Sequence, residues 1–292
     1  MRVGLFVPLG NPFATPEYLR AIAVGAERRG FHSLWVSEHT VFFENYDSYY
    51  PYGVNGKYSA DAESGVLEPF AALSFFAACT QRIRLGTGMC VVPQRNPVYT
   101  AKSAAAIDWL SNGRFDFGIG VGWLAEEFSA LAVPFEHRGQ RCRDYVGVMR
   151  SLWCDAVSEY HGQFYDLPPC WHNPKPVQKP HPPIHFGGES DAALRRVADL
   201  GDGWYAANLA PEEVPAHISR LQGFLELKNR SLSEVQITVN PSRRQMQEGD
   251  LERYRAAGVD QLILTSRVRN IDEMERTLDS LAEQYVLAAE RL

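Results

Sequence analysis

Eight short apolar runs, each followed by a stretch of helical character, recur along this chain, and few architectures accommodate that rhythm. The runs are RVGLFVP (2–8), SLWVSEH (33–39), IRLGTGMCVV (83–92), FDFGIGV (115–121), PIHFGG (183–188), GWYAA (203–207), VQITVN (235–240) and DQLILT (260–265). Nearly all-apolar runs of this kind mark strands covered on both faces in a parallel sheet. The segments between them carry helix punctuation. TPEYLRAIAVGAERRG (15–30) opens with Thr15 as cap and Pro16 at the first helical position, and closes on Arg28, Arg29 and Gly30. Further helices are predicted over 69–80, 96–114 (Asn96 as cap, Pro97 in the first turn), 138–154, 190–201, 211–229, 249–257 and 271–288. Eight strand–helix units predict an α/β fold, a closed (β/α)8 TIM barrel. With 292 residues and no linker rich in Gly, Ser or Pro, the chain reads as a single domain, 1–292.

Two insertions break the rhythm. One, TVFFENYDSYYPYGVNGKYSADAESGVLE (40–68), follows the second strand and carries five tyrosines. The other, 157–182, precedes the fifth strand, and its EYHGQFYDL has the pattern of a hairpin around His161-Gly162. Connections of this length inside a compact fold are usually lids or binding loops. The first leaves the carboxyl end of a strand, where barrel enzymes place their sites, so Phe43, Tyr46 and Tyr50 are expected to line a substrate pocket. A structural or subunit-covering role is the alternative, since tyrosine is also frequent at interfaces.

Composition narrows the partners. A net charge of -6 with no Lys/Arg run argues against nucleic acid. The start, MRVGLFVPLG, has one basic residue and a short apolar run broken by Pro8 and Gly10, so neither a secretory signal nor a membrane span is expected. The five cysteines are scattered without a CxxC pair, as free thiols in a reducing compartment would be, and a soluble cytoplasmic protein is the expectation.

Chemistry should sit at strand ends. Glu38 and His39 end the second strand, and histidine can donate, accept or transfer a proton near neutrality. Adjacent strand residues point to opposite faces, so one of the two should be structural, and His39 is the expected catalytic residue. Gly86 and Gly88 in the third strand, with Gly118, Gly120 and Gly122 in the fourth, strip side chains from one sector of the mouth. That sector would let a flat ring lie on bare backbone; tight strand–helix packing is the alternative reading. Gly187-Gly188 followed by Ser190 at a helix start forms an anion seat suited to a phosphate, although Ser190 also fits an ordinary cap. No metal site is expected: HExxH and CxxC are missing, and His181 and His185 lie in an extended stretch broken by prolines.

Three segments, RIRLGTGMCVVPQRNPVYTAK, LSNGRFDFGIGVGWLAEEFSALAVPFEHRG and NPKPVQKPHPPIHFGG, resemble the luciferase-like monooxygenase superfamily, most closely its actinobacterial-type branch assigned to the deazaflavin coenzyme F420. The resemblance spans essentially the whole chain. It implies a luciferase-like barrel, generally a homodimer, that binds coenzyme F420 or reduced FMN at the carboxyl mouth and acts on a small organic substrate. It further implies a cis peptide between Gly88 and Met89 that supports the ring, and matches His39 to the family's site histidine. Gly86, Gly88, Met89, Gly120, Val121, Gly122, Gly187, Gly188 and Ser190 become the expected cofactor contacts, with Trp123 flanking ring or substrate. In FMN-type luciferases an arginine pairs with the phosphate at the place of Val121. A phosphate monoester benefits from such an arginine more than the singly charged phosphodiester of F420 does. F420-dependent hydride transfer is therefore the first expectation. An FMNH2/O2 monooxygenase is the second, since Glu38-His39 is like the luciferases, and a non-catalytic cofactor-binding barrel the third.

Overall fold

The computed structural model describes residues 1–58, 65–242 and 244–292, so part of the tyrosine-rich insertion, 59–64, lies outside the described residues. Its principal sheet is built from β1 (Arg2–Phe6), β2 (Ser33–Val36), β3 (Arg84–Thr87), β4 (Cys90–Val91), β5 (Phe115–Gly120), β8 (Ile184–Gly187), β9 (Gly203–Ala207), β10 (Gln236–Asn240) and β11 (Gln261–Thr265). Every pairing among them is parallel, and β3 also pairs with β5 (Leu85 with Phe115, Gly86 with Asp116), which closes the barrel. The third stave is not one strand over 83–92. A cis peptide at Gly88–Met89 divides it into β3 and β4, leaving eight staves from nine strands.

Helices α1 (Pro16–Arg28), α2 (Pro69–Cys79), α3 (Pro97–Leu110), α5 (Arg138–Cys154), α6 (Asp191–Leu200), α7 (Val214–Glu226), α8 (Asp250–Ala256) and α9 (Ile271–Leu281) cover the outer face. The caps read from sequence hold the chain as expected. Thr15 accepts from the Tyr18 N–H, Asn96 from those of Val98 and Tyr99, and Ser190 from that of Ala193. Two elements differ from expectation. A short helix, α4 (Ala125–Ala130), follows β5 where only a loop was predicted, and β2 stops at Val36, before Glu38 and His39. The second insertion does contain an antiparallel hairpin, β6 (Ser158–His161) with β7 (Asp166–Cys170).

Inside the barrel, large and small side chains from neighbouring staves alternate, which is how a small barrel fills its interior. A Cβ on Gly86 would stand 2.6 Å from the Trp35 ring, and one on Gly203 would overlap the His185 ring. Trp35, Tyr205 and Ile263 make the central apolar cluster, with Phe6 and Met89 packed on it.

Candidate functional site

The first insertion bridges the carboxyl mouth. It leaves β2, docks on α4 where Glu126 accepts from the Asp47 and Ser48 N–H groups, and reaches the β8–α6 turn, where the Tyr52 hydroxyl donates to Glu189 at 2.7 Å. Its return runs beside residues 9–11, through a bridge of Gly10 with Val66.

Because β2 has ended, Glu38 and His39 diverge. Glu38 accepts from the Val91 N–H and from Arg95, bracing the β4 corner. His39 turns its Nδ1 toward Glu127 Oε2 at 3.5 Å. Glu127 is only 2% exposed, and also accepts from the Thr40 N–H (2.6 Å) and the Gln94 amide (3.0 Å). Burial pushes its carboxyl pKa up, but His39, Gln94 and the Thr40 N–H outweigh burial and hold it below the ordinary value. Glu127 is thus an ionised brace under the imidazole. Rings enclose the rest of His39: Phe42 at 4.9 Å, Tyr58 at 5.0 Å and Trp123 at 5.9 Å between centroids, with Tyr46 and Tyr50 packed on Trp123. Phe42 rather than Phe43 faces the histidine.

The glycines also accommodate groups of the protein itself. The space beside Gly120 and Gly187 is taken by Met89: a Cβ on Gly120 would lie 3.2 Å from the Met89 Cβ, and one on Gly187 2.7 Å from its sulfur. A Cβ on Gly118 would overlap the Thr87 carbonyl, and Gly122, at φ +83, has Phe128 and Val91 against it. The missing side chains admit the cis corner and its methionine, while Gly88, Gly120, Gly122 and Gly187 remain partly exposed. Gly88 is the freer position, its nearest neighbours being the Tyr205 hydroxyl at 3.4 Å and Phe6 at 3.6 Å from a built Cβ. Val121 packs against the outer core and brings no charge to the rim.

A polar pair that sequence reading missed stands on the other side of the mouth. Asn240, at the end of β10, accepts from the Ser242 N–H (2.6 Å), which fixes its amide, and donates to the Tyr205 hydroxyl at 3.0 Å. The Tyr205 oxygen is an acceptor there, so its own proton is directed elsewhere. Burial raises its pKa, so it stays protonated. Alternation inside GWYAA and VQITVN would have placed both side chains in the barrel. At the rim, Gly188 sits at φ +108, the left-handed region that favours glycine, and Ser190 caps α6. Glu189 between them accepts from the Ala207 N–H as well as from Tyr52. The structure thus gathers His39, Tyr46, Tyr50 and Trp123 on one side, Gly88, Met89, Gly120 and Gly187 at the centre, and Gly188 with Ser190 on the far rim.

The profile of luciferase-like monooxygenases matches residues 1–285. The chain belongs to that family. Among the relatives of this luciferase-like barrel, an uncharacterized protein of Mycobacterium tuberculosis is 34% identical over 205 residues, 70% of this chain and 71% of that one. The oxygenase component of the flavin-dependent trigonelline monooxygenase of Acinetobacter baylyi is 31% identical over 161 residues, 54% of this chain and 39% of its own. The coenzyme F420 dependent tetrahydromethanopterin reductase of Methanopyrus kandleri shares the fold, with a TM-score of 0.75 at 15% identity over 99% of both chains. No helix among the described residues is long and apolar enough to cross a membrane.

Proposed function

We propose that this luciferase-like protein is an oxidoreductase that binds coenzyme F420 at the barrel mouth and transfers hydride between it and a small, fairly apolar organic substrate. The observation that carries this reading is His39, braced by a buried carboxylate at 3.5 Å and walled by aromatic rings. When bound, the deazaflavin gives or takes a hydride at C5. The chain's own residues fit such a group: Gly88 leaves room for an approach, Tyr205 has a proton to donate beside it, and Gly188 with Ser190 opens a helix start on the rim.

In this reading Glu127 fixes the ring of His39, whose Nε2 faces away from that carboxylate and holds or delivers the proton at the substrate atom being changed. Phe42, Tyr46, Tyr50 and Trp123 exclude water and favour an apolar substrate. Val121, offering no charge, supports the phosphodiester of F420 over the monoester of FMN. A second reading, a monooxygenase using reduced flavin and oxygen, is favoured by the likeness to the trigonelline enzyme.

The protein would work as one barrel domain in the cytoplasm, in keeping with its five free cysteines, and as a homodimer. Tyr99, Trp109 and Leu110, exposed along α3, support a second copy there. Fluorescence titration of the purified protein separates the cofactors: saturable micromolar binding of F420 with weaker FMN binding is expected, and tight FMN with no F420 binding would select the second reading.

A further inference from the structure

A chain of hydrogen bonds inside the barrel ends on a donor with nothing to receive it. It starts at the ends of β10 and β11, where Asn240 Oδ1 accepts from the Ser242 N–H at 2.6 Å and from the Thr265 hydroxyl at 3.3 Å. Two donors on that oxygen leave the amide one orientation, so Nδ2 donates to the Tyr205 hydroxyl oxygen at 3.0 Å. The Tyr205 proton is the open end. Tyr205 is 4% exposed and Asn240 6%, and no acceptor among the described residues takes that proton. Buried hydroxyls normally find a partner, and leaving one open is costly.

The surroundings say where an acceptor must come from. Ile263 and Trp35, whose ring lies 5.1 Å from that of Tyr205, offer no acceptor, and the indole N–H is already given to Ser33. The open side is the mouth. A Cβ built on Gly88 would stand 3.4 Å from the Tyr205 hydroxyl, 3.6 Å from Phe6 and 3.6 Å from the Trp35 Cβ. Gly88 is partly exposed, so the hydroxyl meets the mouth at the residue of the cis corner that has no side chain. Every member of the chain is neutral. Such a donor in an apolar cluster suits a carbonyl oxygen, whereas a full anion would be buried there without a cation.

We propose that Tyr205, held and polarised by Asn240 and Thr265, donates to a pyrimidine carbonyl oxygen of the bound cofactor and makes the mouth prefer the reduced cofactor to the oxidised one. The inference rests on the cofactor reading above and deepens it, adding a redox-state preference. A hydride brings two electrons to C5, and the added density reaches the pyrimidine carbonyl oxygens. A fixed donor therefore gains more from the reduced ring than from the oxidised one, as preorganised donors do wherever charge develops. Each bond in the chain polarises the next, so the Asn240 amide strengthens the donor through Tyr205. Tyr205 is then a binding residue, and Asn240 a positioning residue.

The test compares the two redox forms of one ligand. Oxidised F420 is titrated by its fluorescence, and reduced F420 by anaerobic competition against it; FMN in both forms is run in parallel. Tyr205→Phe should weaken reduced F420 about tenfold and oxidised F420 by no more than about twofold. That ratio of about fivefold lowers the potential of the bound two-electron couple by about 20 mV, at about 30 mV per tenfold. Asn240→Leu keeps the hydroxyl and removes the bond that polarises it. It should weaken reduced F420 about threefold, leave the oxidised form unchanged and add nothing in the Tyr205→Phe background. The same variant serves if Tyr205→Phe does not fold. Equal loss for the two redox forms, or no loss for either, overturns the proposal, as does an Asn240→Leu effect that persists in full alongside Tyr205→Phe. A reduced-form preference carried by Tyr205 for FMN and not for F420 overturns the F420 reading and leaves the donor standing. A wild type that binds neither chromophore overturns both.

Discussion

The two ends of the barrel interior use the same kinds of residue to opposite effect. At the amino-terminal floor, the charged and hydroxyl groups are matched within the protein, while both nitrogens of the buried His185 lie beyond hydrogen-bond range. Arg84 forks onto Asp116 at 2.6 and 2.7 Å, with His185 Nε2 at 3.7 Å, and Ser33 accepts from both Trp35 and Gln261. At the mouth, matching is incomplete: His39 Nδ1 makes no hydrogen bond, and the Tyr205 hydroxyl donates to no acceptor among the described residues. A barrel floor that closes on itself contributes stability, and a mouth with capacity left over can bind and react. The comparison yields distinct expectations for substitutions at the two ends.

The largest effect belongs to the mouth. His39→Ala should lower turnover about 10²–10⁴-fold while cofactor affinity and Tm stay near wild type, as loss of a general acid–base group requires. Turnover within twofold of wild type, with the cofactor bound, would remove His39 from the chemistry. Next comes the floor. Asp116→Ala strands the partly buried Arg84 and should cost about 3–5 kcal/mol of stability in chemical denaturation, since breaking a buried pair leaves an uncompensated charge. Chromophore affinity of the folded fraction should not change. A lost cofactor site with intact stability would invert the assignment of the two ends.

The same pair gives a pH dependence. Burial alone pushes the Asp116 carboxyl up, but His185 and the Arg84 guanidinium outweigh it and hold it well below the usual carboxylate range. A depressed folded pKa contributes stability that is fully present above the unfolded value near pH ~4, and that disappears as pH falls through the folded value. Denaturation midpoints of the wild type should therefore decline on the acid side more steeply than those of Asp116→Asn. Parallel profiles would show that the pair carries no acid stability. A smaller change is expected for Tyr205→Phe: about two- to tenfold weaker cofactor binding with the fold retained, the size of one neutral hydrogen bond.

The scaffold was more legible in the sequence than the contacts inside the barrel. Strand order and helix caps follow from local rules that Thr15, Asn96 and Ser190 obey in the structure. The matching of Trp35 to Gly86 was not legible, because it depends on which strands become neighbours after closure. Glycine density was read as open space for a ring, and Gly120 and Gly187 also make room for Met89. Composition can say that side chains are absent, but not what fills the volume. Glu127 was visible only as a loop residue, since α4 and its brace on residues 40–41 are set by tertiary contact.

The smallest expected effect tests whether the first insertion belongs to the mouth or to the scaffold. Tyr52→Phe removes the hydroxyl that joins residues 40–58 to Glu189, while Glu189 keeps the Ala207 N–H at 2.7 Å and Glu126 keeps Asp47 and Ser48. One hydrogen bond in a half-buried setting is worth about 0.5–1.5 kcal/mol, and the remaining anchors localise the loss. Hydrogen exchange should then quicken over residues 40–58 and remain unchanged in β9 and β10, with global stability nearly that of the wild type. Faster exchange spreading into those strands, or a loss as large as that of Asp116→Ala, would make the insertion part of the scaffold. A local response instead marks a cover that can lift while the barrel beneath it stays closed, which is what a mouth with unmatched groups requires if its ligands are to enter.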